Sequence, residues 1–216
     1  MSRANSAGWK ESAPNRTQRW VSFTGRLGTN VVMSVVVPGS IVITATSFTN
    51  DLVWDTPRGD LIVRNETALK DLGVPEARGR AFMTNAAIPL SVKTDLVQNL
   101  EKLGEVKGRA AVIALAATAR SEEQARFLAT AVRMLGKQHG LEEVTAKGTV
   151  VGREQGGGIV VPAPVDYVSW TERVARFANR DDLKAAKRSI LLTGKMSPRA
   201  RQEFEALGWK VEEEAG

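Results

Sequence analysis

Apolar residues recur at helical spacing through the middle of this chain, switch to strand spacing after residue 140, and return to short helical pieces near the end. Pro57 opens the first helical pattern, with Leu61, Ala68, Leu69 and Leu72 on its stripe and Gly73 as its stop. A shorter helix is predicted over residues 76–83. Leu96, Val97, Leu100 and Leu103 carry the next one, over residues 90–103, ending at Gly104. Residues 109–118 are nearly all Ala, Val, Ile and Leu, and alanine favours helix over strand, so a buried helix is predicted there. The strongest helix start is Ser121-Glu122-Glu123-Gln124. It reads as a capping box: the serine oxygen accepts the Gln124 backbone N–H, and the Gln124 side chain returns to the Ser121 N–H. Ala125, Leu128, Val132 and Leu135 form the stripe behind it, and Gly136 or Gly140 ends the helix.

Beyond this helix the period becomes two. Residues 144–151 and 159–161 read as the strands of a hairpin whose tip holds Gly156, Gly157 and Gly158. Pro162 and Pro164 end it, and residues 165–177 return to a helical pattern carrying Trp170, Val174 and Phe177. Over residues 189–211 every local signal agrees. Ile190, Leu191 and Leu192 form a short buried strand, ended by Thr193 and Gly194. Ser197 is an N-cap followed by Pro198 in the first helical position, where a missing N–H costs nothing. Ala200, Phe204 and Leu207 follow at helical spacing, Gly208 stops the helix, and Trp209, Lys210 and Val211 resume an extended alternation. If the two strands are parallel neighbours, the helix between them crosses over in the right-handed sense. The expected fold class is α+β. A mainly helical N-terminal two-thirds, about residues 20–140, precedes a small mixed sheet made of the hairpin plus strand-helix-strand, about residues 141–211. The helices are expected over one face of that sheet, in a single domain spanning residues 20–216.

Two N-terminal stretches need separate readings. Residues 1–19 are rich in Ser, Asn and Arg with no apolar period, and read as a disordered lead-in. Residues 2–22 hold no apolar run of the kind a signal peptide needs, so none is predicted at Met1. Residues 27–50 carry no charge at all. Their β-branched content favours two strands joined at Pro38 and Gly39, while their length and small residues suit two packed soluble helices or a membrane hairpin. In the last case this segment associates the chain with a membrane.

Composition changes the picture mainly by exclusion. The 216 residues are 43% hydrophobic and 25% charged, ordinary for a soluble globular protein. The net charge of +6 is uneven: Arg3, Lys10, Arg16, Arg19 and Arg26 face only Glu11 near the start, and Glu212, Glu213 and Glu214 close the chain. Such ends read as solvated tails rather than nucleic-acid contacts, and Glu203 and Glu205 interrupt the basic residues nearby. Cysteine is absent, which excludes disulfides, thiolate metal sites and cysteine nucleophiles. His139 is the only histidine and follows a helix end, where an imidazolium gains from the dipole. Neither a metal site nor a cofactor is predicted.

One loop is a candidate binding site. Gly194, Lys195, Ser197, Arg199 and Arg201 lie between a strand and a helix start, where unpaired backbone N–H groups and the dipole hold anions. The sequence falls short of the P-loop pattern G-x-x-x-x-G-K-[ST], and Ser197 also reads as a plain N-cap. Asp166, Tyr167, Trp170 and Glu172 bring carboxylates and aromatics together, but paired carboxyl catalysis needs a defined separation. The simpler reading has Asp166 capping a helix and Trp170 in the core. Gly156, Gly157 and Gly158 precede no helix and so read as a hairpin tip rather than a phosphate cradle. No catalytic residue is assigned.

The phrases VSFTGRLGTN, NDLVWDTPRGDLIVRNETAL, SEEQARFLATAVRML, PVDYVSWTERVARF and LLTGKMSPRARQEFEALGW, in that order, cover most of residues 20–211. Together they resemble the C-terminal portion of a group of uncharacterised bacterial proteins, many with the look of exported ones. The resemblance implies a native N-terminal region that is longer or different in front, and it favours two helices over residues 24–54. It implies no catalytic residues. It leads to the expectation of a non-enzymatic exported or envelope-associated protein acting through binding or assembly with a protein partner. The alternative is an anion-binding module or small enzyme acting on a phosphorylated or carboxylated ligand at the helix start of Lys195 and Ser197.

Overall fold

A computed structural model describes residues 56–216. The readings of residues 1–19 and 20–55, including the uncharged segment 27–50, lie outside the described residues. Within the described residues five helices come first: α1 (Arg58–Asp71), α2 (Glu76–Thr84), α3 (Leu90–Lys102), α4 (Arg109–Ala116) and α5 (Glu122–Leu135). Strands β1 (Leu141–Ala146), β2 (Val150–Glu154), β3 (Ile159–Ala163) and β4 (Tyr167–Val168) follow, then α6 (Glu172–Ala178) and a 3₁₀ turn. The chain ends with β5 (Arg188–Leu192), β6 (Lys195–Met196), α7 (Pro198–Ala206) and β7 (Trp209–Glu212). The architecture is α+β. Its main sheet has the order β1-β2-β3-β5-β7, antiparallel through β3 and parallel from β3 to β7, and β4 pairs β6 in a small second sheet.

The sheet is covered on both faces, which corrects the expectation of one. Val160 and Leu191 join Val144 and Val150 in the core made by α1 to α5. Ile159, Val161, Ile190 and Leu192 point the other way, onto Val174 and Phe177 of α6, Ala200 and Phe204 of α7, and Trp209. The sequence signal is that β3 and β5 are apolar at successive positions, which a strand tolerates only when buried on both sides. The two parallel crossovers step the same way, from β3 to β5 to β7, and α6 and α7 lie on one face, as two crossovers of one hand require.

Helix α3 lies at the centre of the helical layer, and every residue from Val92 to Leu100 is buried, polar ones included. Three of these polar groups, Lys93, Thr94 and Asn99, tie α3 to its neighbours. The Lys93 ammonium donates to the Met83 carbonyl at 2.7 Å, Asn65 of α1 donates to the Thr94 hydroxyl at 2.9 Å, and the Asn99 amide reaches the Ala129 carbonyl of α5 at 3.3 Å. The same Asn99 amide donates to the Asp95 carboxylate at 3.1 Å. Burial pushes the Asp95 carboxyl above its usual range, against the pull of Arg133, the Asn99 hydrogen bond, Lys102 and Arg126.

A raised folded pKa means that Asp95 favours the folded state most below the unfolded aspartate value of about 3.9, and that this contribution is lost as pH rises through the folded pKa. Asp95→Asn keeps an acceptor for Asn99 and removes the buried charge. The variant is expected to be at least as stable as the parent near neutral pH and to lose the Asp95 part of the decline on going from acid to neutral. Urea midpoints across that range decide it; a variant much weaker at neutral pH would mean that the ionised carboxylate is net favourable.

Three local expectations are corrected. Residues 144–151 are not one strand: β1 and β2 are separate, turning at Gly148 with φ 77°, so the sheet gains a strand. Residues 165–177 are not one helix, because α6 begins only after Thr171, whose hydroxyl accepts the Val174 N–H at 3.3 Å. The segment before it stays extended because its carbonyls serve the loop after β5. In the capping box, Ser121 accepts the Gln124 N–H at 3.4 Å as expected, but Gln124 Oε1 accepts from Arg120 N–H at 2.7 Å. The Ser121 hydroxyl also holds the Glu123 carboxyl below its usual range.

Candidate functional site

The loop singled out in the sequence joins β5 to α7 at the C-terminal end of the parallel strands, where α/β sheets place their ligand crevices. Its helix start forms as expected. Ser197 Oγ accepts the Ala200 N–H at 3.1 Å, with Pro198 at the first helical position. Gly208 closes the helix with φ 81°. Arg188 reaches across from β5 to donate to the last-turn carbonyl of Leu207, its guanidinium 5.0 Å from the Trp209 ring centroid.

The backbone donors of this loop are not unpaired, which corrects the expectation on which anion binding rested. Gly194 N–H donates to the Val165 carbonyl at 2.9 Å, Lys195 N–H to Asp166 at 2.9 Å, and Ser197 N–H to Val168 at 2.8 Å. Met196 N–H donates to a carboxylate, that of Glu213, at 2.6 Å. The other oxygen of Glu213 receives Arg201 at 2.5 Å. The loop therefore does hold an anionic group, and it is supplied by the chain itself. Lys195 pairs with Glu214 at 3.4 Å, Arg199 with Glu203 at 4.0 Å, and Arg201 also with Glu205 at 3.5 Å. These outer pairs are exposed and contribute little. Two further bonds, Glu214 N–H to the Gly194 carbonyl and Ala215 N–H to the Leu192 carbonyl, lay the segment after β7 across the end of β5.

Glu213 is the residue that sequence reasoning missed. It stands in a run of three glutamates that reads as a solvated tail, and nothing local marks which carboxylate folds back. Ser197→Ala is expected to lose about 1 kcal/mol through the cap. Glu213→Gln, which keeps an acceptor for Met196 but drops the charge facing Arg201, is expected to lose about 1 kcal/mol as well. Denaturant midpoints measure both, and an unaffected Glu213→Gln would mean that the carboxylate does not hold the segment.

The remaining candidates do not converge on this loop as a catalytic set. Asp166 is exposed and contributes its backbone carbonyl rather than a helix cap. Trp170 meets Phe204 edge-on at 5.6 Å, as part of the packing under α7. Glu172 pairs with Arg176 at 3.6 Å on the surface of α6. His139 is exposed in the turn after α5, and the glycine tip is a tight turn with φ 91° at Gly156 and 83° at Gly157. Among the described residues there is no group of three or more His, Asp or Glu side chains placed to hold a metal ion, and no helix is long and apolar enough to cross a membrane. Comparison of the chain with protein-family models, curated proteins and solved structures gives no match.

Proposed function

We propose that the chain is a binding and assembly module of an exported or envelope-associated bacterial protein, acting without catalysis through a protein partner. The observation that carries the reading is the closure of the β5–α7 loop, where the donors that would meet a ligand are taken by Val165, Asp166, Val168 and Glu213. A loop sealed in this way leaves the outer surfaces of the sandwich as the places for contact. The pairing of Arg199 and Arg201 with Glu203, Glu205 and Glu213 also weakens any continuous basic face for nucleic acid.

The alternative, an anion-binding module or small enzyme acting on a phosphorylated or carboxylated ligand through Gly194, Lys195, Ser197, Arg199 and Arg201, is favoured by one observation. A carboxylate already sits on Met196 N–H and Arg201. An external phosphate would have to displace it.

Two measurements separate the readings. In thermal melts the parent is expected to show no midpoint shift with millimolar inorganic phosphate beyond that produced by chloride at equal ionic strength. Fractionation of cells expressing the tagged full-length protein is expected to place it with the envelope or outside the cell. A phosphate-specific rise in the parent, abolished by Lys195→Ala with Arg201→Ala, would favour the anion module, and a cleanly cytosolic protein would overturn the envelope role.

A further inference from the structure

We infer that β7 is a self-pairing edge, through which two copies of this chain join their sheets about a two-fold axis. This deepens the assembly reading by naming the partner, and rests on that reading only to that extent. The two edges of the main sheet differ. Beside β1, the backbone of Lys107 donates to the Glu142 carbonyl at 2.9 Å and accepts from Val144 N–H at 2.8 Å, which covers that edge. Beside β7, among the described residues, no backbone group beyond β5 pairs with Trp209–Glu212. An open edge invites another strand, and proteins commonly guard against this with a charge, often lysine.

Here the guard is balanced. Lys210 lies 2.9 Å from its own Glu212, on the same side of the strand. A lone lysine would repel a second copy, but Lys-Val-Glu is complementary to itself when antiparallel. With the axis at Val211, Lys210 stands opposite Glu212 of the other copy and the reverse, so each internal pair joins a ring of four alternating charges. A second copy is the occupant whose edge charges match these in number, sign and spacing.

The edge is only four residues long, so the dimer belongs to the small, weak class of interfaces, below about 1,200 Å² of buried surface. Sedimentation equilibrium of the full chain, from low micromolar to near-millimolar concentration, is expected to show reversible monomer–dimer exchange that weakens with salt. Lys210→Glu places like charges opposite each other twice and is expected to lower the association constant about tenfold or more. Lys210→Glu combined with Glu212→Lys restores alternation and is expected to restore dimerisation, with unchanged circular dichroism in both variants. A parent that stays monomeric throughout, a dimer indifferent to Lys210→Glu, or a double variant that fails to recover would each overturn the inference. A monomer that still fractionates with the envelope would sink the pairing and leave the proposed role standing.

Discussion

Gly194→Ala is expected to destabilise the fold by about 3 kcal/mol or more. A Cβ at this position would lie 1.9 Å from the Asp166 carbonyl oxygen and 2.4 Å from its carbon. Those atoms are backbone and cannot swing aside. Asp166 is itself held by the Lys195 N–H, and the neighbouring Val165 carbonyl accepts from Gly194 N–H, so relief requires parting β4 from β6. That also releases the N-terminus of α7 from the segment before α6. Urea denaturation of parent and variant measures the loss. Gly59→Ala is the control: nothing lies within 4 Å of its Cβ position, it is in helix α1, and it is expected to gain about 0.5 to 1 kcal/mol. A Gly194→Ala variant as stable as the parent would show that the loop after β5 does not dock on the loop after β3.

Gly108→Ala combines two costs. Its φ is 79°, which an L-residue adopts at about 1 to 2 kcal/mol, and its Cβ would lie 2.1 Å from the Val144 carbonyl oxygen. This is the crossing of the start of α4 over β1, immediately after Lys107 exchanges hydrogen bonds with that strand. The expected loss is about 3 kcal/mol or more, with the β1 edge uncovered. Gly73→Ala separates the two terms, because φ there is 71° but nothing lies within 4 Å. It is expected to lose only the conformational part, about 1 to 2 kcal/mol. Equal losses at the two positions in chemical denaturation would mean that the β1 contact yields easily.

These two glycines look alike in the sequence and differ in cause. Gly194 reads as the end of a strand, and Gly108 stands just before the helix predicted over residues 109–118. What each meets comes from a segment far along the chain. The expectation of unpaired backbone donors in the loop after β5 is corrected for the same reason. A strand, a loop and a capped helix are visible within a dozen residues, but the groups that fill the loop come from residues 165–168 and from Glu213.

Local pattern specifies helices α1 to α5 and α7 and their ends. The Pro57 start, the Ser121 and Ser197 caps, the Gly73 and Gly208 stops and the apolar stripes between them all act within a few residues, where local sterics and hydrogen bonding suffice. It also specifies that β5, α7 and β7 form one strand-helix-strand unit, since their apolar periods and turn residues agree. Tertiary packing alone separates β1 from β2, keeps the residues before Thr171 extended and puts helices on both faces of the sheet. It alone makes Glu213, one of three adjacent glutamates, the carboxylate that closes the loop. A strand completes its hydrogen bonds, and a carboxylate finds its cation, through partners distant in the chain, and local pattern does not specify those partners.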